Sequence, residues 1–462
     1  MSEKAWKRER RLRESAIPLD RRKHDSAWLE PGFEAPRGDE LIDLFWSSKV
    51  PGSGAPEIPY QEMVQAKANQ GYDVHEAEKL LEQGLEVYET GDRDDLRAVT
   101  AALMAALYYA PLDKDHSYHS FQHPGTWEGV QAAMAVERKE PKATWKPDFQ
   151  EKILRGWIGQ LAGGAFGTAI EGYTGDQIRK LYGTIEGYIT EPETTNDDVV
   201  YELVLLDVME TKGRALTSQD IGLEWVRQIP FGWSAEWAAL RNLSLGLMPP
   251  DSGAWHNPYS DWIGGQMRGM VCGMLAPTHP LEAARLAHTD GVVSHARNGV
   301  YGEIYAAVLT SLSFETQNII DLIRQGLLYL PQRSEYASVV QETLAVLSEE
   351  KDPENAWTRL DKRFKRYNWI HAYPNIAADL FALWYGEGDF TKSMSLLAKA
   401  GNDVDCNAGL VGNVLGVISS VPESWAEPIG DVLETYIPGK ERLSIQSLAE
   451  RTTRLAEKAW NS

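Results

Sequence analysis

Cysteine is almost missing from this 462-residue chain, which has only Cys272 and Cys406. Two cysteines exclude a disulfide framework and a thiolate zinc cage, and make a reducing compartment, the cytoplasm, the expected setting. Positive charge is also short. Lys and Arg number 46 against 67 Asp and Glu, a formal charge of −21, so the broad basic surface of a general nucleic-acid binder is excluded. No apolar run approaches the length of a membrane span. The basic residues from Lys4 to Arg13 are not followed by the apolar segment of a signal peptide. Neither nucleic acid nor membrane is therefore an expected partner. Convincing alternating strands are few, and no repeat has a solenoid period.

What is present is the composition of a packed globule, 43% hydrophobic and 24% charged. Residues 1–40, charged and broken by Pro18, Pro31 and Pro36, read as a surface arm with one short helix. Residues 76–109 carry two helical patterns split at Gly91-Asp92, the signature of an antiparallel pair. Pro141 and Pro147 among charges place a boundary near residues 139–147. The expected organisation is an extension over 1–146 and a main domain over 147–462. In that domain apolar positions recur at helical spacing over 153–168, 199–210, 319–328, 336–348, 376–385 and 443–460, which predicts an all-α fold.

Four stretches carry candidate chemistry. His116, His119 and His123 cluster before Pro124-Gly125, where zinc binding competes with local hydrogen bonding in a turn. Asp403-Val404-Asp405-Cys406-Asn407 precedes a run in which Gly409, Gly412 and Gly416 recur at spacings of three and four, so one helix face is bare of side chains. Acidic residues at a helix entrance serve as caps, or aim hard oxygens at a divalent cation. Thr195 with Asp198 resembles a capping box, yet it leaves Asp197 unexplained, because adjacent carboxylates repel unless something positive is near. Residues 159–172 form another glycine-rich helix, whose cost in helix stability implies a close backbone approach; Glu171 follows at its end.

Residues 163–171, Asn196-Asp197-Asp198 and residues 403–407, in this order, resemble the three motifs of the ADP-ribosylglycohydrolase family. The likeness runs from about residue 155 to about residue 420, with support from Glu236, Arg268, Ser294-His295, Asn298-Gly299, Tyr301-Gly302-Glu303, His371 and Asn375. The resemblance implies an orthogonal all-helical bundle with a centre of two Mg2+ ions, Mn2+ being the alternative. It also implies hydrolysis at the anomeric carbon of an ADP-ribosylated protein or ribosylated small molecule. By position, Asn196, Asp197, Asp198, Asp403, Asp405 and Cys406 would surround the metals. Glu171 or Asp405 would act as the base. Gly164, Ser294, His295, Asn298, Gly299, Tyr301, Gly302, Glu303, His371, Gly401 and Asn402 would line the substrate cleft. Three positions depart from the family pattern: Asn196 and Cys406 stand where Thr is usual, and Gly164 where Asp is common. The competing expectations are a hydrolase of another ribosylated metabolite or nucleoside, and a binding module for ADP-ribose with weakened catalysis.

Overall fold

The glycines of two distant stretches put two helices in backbone contact. In the computed structural model, which describes residues 7, 14–15, 38–136 and 145–460, the helix Phe149–Gly167 packs along the helix Val404–Ile418. A Cβ at Gly159 would stand 2.1 Å from the carbonyl oxygen of Gly412, one at Gly163 2.0 Å from that of Ala408, and one at Gly416 2.2 Å from that of Arg155. Partner numbers fall on one helix as they rise on the other, so the pair is antiparallel. Each glycine costs a helix about 0.5–1 kcal/mol relative to alanine. The close packing made possible at the seam offsets that cost. The close approach expected of both glycine-rich stretches is an approach to each other.

Polar side chains beside the seam satisfy one another. Thr310 Oγ1 donates to Asn413 Oδ1 (3.0 Å), Asn413 Nδ2 to Gln160 Oε1 (3.2 Å), and Gln160 Nε2 to Glu202 Oε2 (2.8 Å). This buried chain joins the two glycine-rich helices to the helices Asn298–Ser313 and Asp197–Lys212. A buried polar group without a partner is costly, so the chain fixes the register of all four helices.

The other expected helices form with small shifts at their ends: Asp197–Lys212, Ile319–Leu327, Glu335–Glu349, Ala372–Gly386 and Ile445–Trp460. His75–Thr90 and Arg93–Tyr108 form the antiparallel pair. Gly91 turns between them at φ 76°, and Asp92 caps the second by accepting from the Asp94 and Asp95 amides. Strand is confined, among the described residues, to two short antiparallel ribbons, Ser48–Lys49 with Pro56–Glu57 and Leu433–Glu434 with Arg442–Leu443. The fold is all-α, and Leu44–Ser462 forms one compact unit. No single helix among the described residues is long and apolar enough to cross a membrane. The expected arm over 1–40 and the expected boundary over 139–147 lie largely outside the described residues.

Candidate metal centre

Capping does not account for the acidic residues at either helix entrance. Asp403 occupies the N-cap of the helix Val404–Ile418, but its side chain makes no capping hydrogen bond. At the other helix the cap is Asn196, whose Oδ1 accepts from the Asp198 amide at 2.6 Å. The capping box read from Thr195 and Asp198 does not form, because the helix begins at Asp197, after Asn196. Four aspartates are thereby left with carboxylates that serve no cap.

The two entrances converge. Asn196 Nδ2 donates to Asp405 Oδ2 (3.4 Å), and Cys406 Sγ donates to Asp198 Oδ1 (3.4 Å). One ligand atom from each of Asp403, Asp405 and Cys406 lies within 4.8 Å of the others. Asp198, Asp403 and Asp405 are buried; Asn196, Asp197 and Glu171 are partly exposed. Asn375 supports the floor, its Oδ1 accepting from the Asp403 amide (3.3 Å) and from Asn407 Nδ2 (2.9 Å). Oδ1 of Asp403 and Oδ1 of Asp405 are buried without any hydrogen-bond partner.

The electrostatics follow from this crowding. Burial, then the charge of Asp405, raises the Asp197 pKa to about 7. Burial with the neighbouring aspartates pushes Glu171, Asp198 and Asp403 well above the usual carboxylate range, and burial also raises Asp405. No lysine or arginine is among the charges acting most on these five groups. Carboxylates gathered without a cation either stay protonated or take one up. Orphaned, hard oxygen donors fit a divalent ion such as Mg2+ or Mn2+. Cys406 is different: burial and the aspartates hold its thiol protonated, and the thiol donates to Asp198.

Two of the three departures from the family pattern meet in space. A Cβ at Gly164 would lie 3.2 Å from Asn196 Nδ2.

The residues expected along the substrate cleft divide into two groups. Gly401 and Asn402, at φ 71° and 67°, form the turn that enters the second acidic helix. Asn402 O accepts from the Gly172 amide (2.9 Å), and Asn402 N donates to Tyr173 O (3.2 Å), so this turn holds the segment that carries Glu171. Ser294, His295, Asn298, Gly299, Tyr301, Gly302, Glu303 and His371 are all buried. Asn298 is held by Asp261 and by the Tyr336 amide, and Gly299 lies against Ser260 O. Gly302 packs on Gln266 and Tyr336, Tyr301 donates to Pro124 O (2.7 Å), and His371 caps a helix through the Tyr373 amide.

Ser294, His295 and Glu303 belong to a hub that sequence reading did not single out. Arg268, 1% exposed, donates to Asp290 Oδ2 (2.6 Å), Glu236 Oε1 (2.8 Å), Gly264 O (3.0 Å) and Ser294 Oγ (2.9 Å), and lies 3.5 Å from Glu303. Ser294 Oγ in turn shares a 2.8 Å hydrogen bond with His295 Nδ1. Glu236 links this hub to the acidic centre, since its charge acts on Asp197. Glu236 and Arg268 were visible only as supporting positions of the resemblance; Asp290 carried no signal. The His116–His123 cluster is structural: His116 caps through the Tyr118 amide, His119 bonds Gly71 O, and His123 bonds Tyr118 O.

Fold and site together define an all-α protein built around a buried carboxylate centre at two converging helix entrances. The chain belongs to the ADP-ribosylglycohydrolase family, whose model matches residues 145–461. An uncharacterized protein of Archaeoglobus fulgidus is 24% identical over 300 residues, covering 61% of this chain and 93% of that protein. A solved chain described as an ADP-ribosylglycohydrolase-related protein complex matches 67% of this chain and all of its own, at 19% identity and a TM-score of 0.48. The family match over residues 145–461 is to a family of hydrolases.

Proposed function

We propose that this protein is a divalent-cation-dependent glycohydrolase that cleaves the anomeric bond of an ADP-ribosylated protein or small molecule, with two Mg2+ ions as the natural metals. The observation that carries the reading is the pair of orphaned, buried oxygens, Asp403 Oδ1 and Asp405 Oδ1, within a carboxylate group that has no basic partner.

Asp403, Asp405, Asp197, Asp198 and the amide oxygen of Asn196 would hold the ions. Cys406 sits among them as a hydrogen-bond donor to Asp198, a role that suits a soft thiol better than direct binding of Mg2+. When bound, the cations supply positive charge that grips ribose hydroxyls and acidifies a water molecule. Glu171, partly exposed and within reach of the charge of Asp405, would take the proton of the attacking water. The new C1–O bond forms as the C1–N or C1–O bond to the carrier breaks, and the leaving nitrogen or oxygen takes up a proton equal to the one the water gives to Glu171, so the carboxylate is restored at the end of the turnover. Asp405, buried and held by Asn196, serves better as a ligand than as a mobile base.

The test is Asp403→Ala. Calorimetric titration with Mg2+ should show binding lost. Release of ADP-ribose from modified arginine or serine should stop, with helical circular dichroism retained. Undiminished turnover would overturn the metal-centre reading.

A further inference from the structure

The segment that carries Glu171 is gripped from outside the family-matched region. It runs from Thr168 to Tyr173, past the end of the glycine-rich helix, and so has no intrahelical hydrogen bonds to hold its far end. One side is the Gly401–Asn402 turn. The other is the tight turn at residues 50–55 of the first hairpin, closed by Val50 N to Ala55 O (2.8 Å) and Gly54 N to Val50 O (2.9 Å). Val50 and Ala55 are 4% and 0% exposed.

Three contacts join the hairpin to the segment. A Cβ at Gly52, where φ is 84°, would stand 2.4 Å from Thr168 Cγ2. A Cβ at Gly172 would stand 2.8 Å from the Ala55 methyl and 3.5 Å from Val50 Cγ2. Tyr173 donates its hydroxyl proton to Ser53 O (3.3 Å). The hairpin is itself anchored: Trp46, just before it, is buried against Gly84 and donates to Thr100 Oγ1 (2.8 Å). Contacts therefore flank Glu171 on both sides in sequence, at Thr168 and at Gly172-Tyr173, while its own side chain faces the aspartates.

We propose that the hairpin turn Val50–Ala55 is a positioning element for Glu171, clamping the segment 168–173 so that the carboxylate is held at the acidic centre before substrate arrives. The catalytic consequence rests on the reading of Glu171 as the base; the clamp itself does not. Positioning matters because a displacement of about 1 Å in a reacting group costs up to about a hundredfold in rate.

The experiment uses the full chain and two variants, Tyr173→Phe, which removes only the bond to Ser53, and Val50→Ala, which thins the contact over Gly172. Amide hydrogen exchange, followed by mass spectrometry with and without Mg2+, should rise in the peptide covering 168–175. Peptides within 149–163 and 404–418 should stay unchanged. Turnover of an ADP-ribosylated substrate should show kcat, corrected for the folded fraction measured by circular dichroism under assay conditions, falling about tenfold with KM little altered; that correction separates lost positioning from general destabilisation. Unchanged exchange at 168–175 in both variants would overturn the clamp, whatever the activity. Raised exchange with wild-type kcat would keep the clamp and remove Glu171 from catalysis, an outcome that Glu171→Gln checks independently.

Discussion

Removing divalent cations should make the stability of this protein fall as pH rises from about 4 to 7, the opposite of what salt-bridged carboxylates produce. Asp197 is displaced from 3.8 to about 7, chiefly by burial and then by Asp405. A carboxyl whose folded pKa lies above its unfolded one binds more protons when folded. Its full contribution is present below the unfolded value and is lost as pH rises through the folded one. Three units at about 1.36 kcal/mol each give about 4 kcal/mol for Asp197 alone, and about half that once water screening of this partly exposed group is allowed for. Asp198, Asp403 and Glu171 shift in the same direction. A cation reverses the effect: at a hundred times its Kd it adds about 2.7 kcal/mol, and its affinity climbs about tenfold per pH unit for each proton displaced. The assay is thermal unfolding between pH 5 and 8, in chelator and in saturating Mg2+, with calorimetry in two buffers of different ionisation enthalpy to count released protons. With chelator the midpoint should drop by several degrees from pH 5 to 8, and Mg2+ should restore it most at pH 8. A flat profile in chelator, or binding without proton release, would refute the reasoning.

Three substitutions probe other parts of the structure. Gly163→Ala pushes a methyl to 2.0 Å from Ala408 O; separating the two helices should cost about 1–3 kcal/mol in chemical denaturation and weaken Mg2+ binding, because one of them begins with Asp403 and Asp405 and the other leads into Glu171. Arg268→Met leaves Glu236, Asp290 and Glu303 buried without their cation; a loss of about 3–5 kcal/mol is expected, readable as a lowered denaturation midpoint. Cys406→Thr restores a hard oxygen beside Asp198; isothermal titration should show Mg2+ bound more tightly, and an unchanged Kd would mean that position 406 lies outside the ion's reach.

The helices and the acidic clusters were legible in the sequence because each leaves a local pattern. Period-3.6 apolar spacing located the segments, and glycines at spacings of three and four marked the bare faces. Asp-x-Asp beside a helix start pointed to a centre, although whether it capped or gathered could not be read locally. That choice depends on where the Asp403 side chain points, and it was Asn196, a residue read only as a substituted ligand, that took the capping role at the other entrance. The clefts and hubs were less legible, for a physical reason. Ser294, His295 and Glu303 have the chemistry of substrate contacts, and sequence carries no sign of burial for a polar residue whose partner is distant. Only the side chain of Arg268, reaching Glu236, Asp290 and Ser294 at sequence separations of 22 to 32, explains them. The hairpin is the extreme case. Residues 51–56 are rich in proline and glycine, and those glycines do make a turn, but its contact with Thr168 lies more than a hundred residues away and sets a glycine without a side chain against the Thr168 methyl. A glycine announces that something approaches; it does not say what. Here the answer differs at each place: a partner helix at Gly159 and Gly163, an asparagine amide at Gly164, and at Gly52 and Gly172 the two halves of the contact between the hairpin and the segment that carries Glu171.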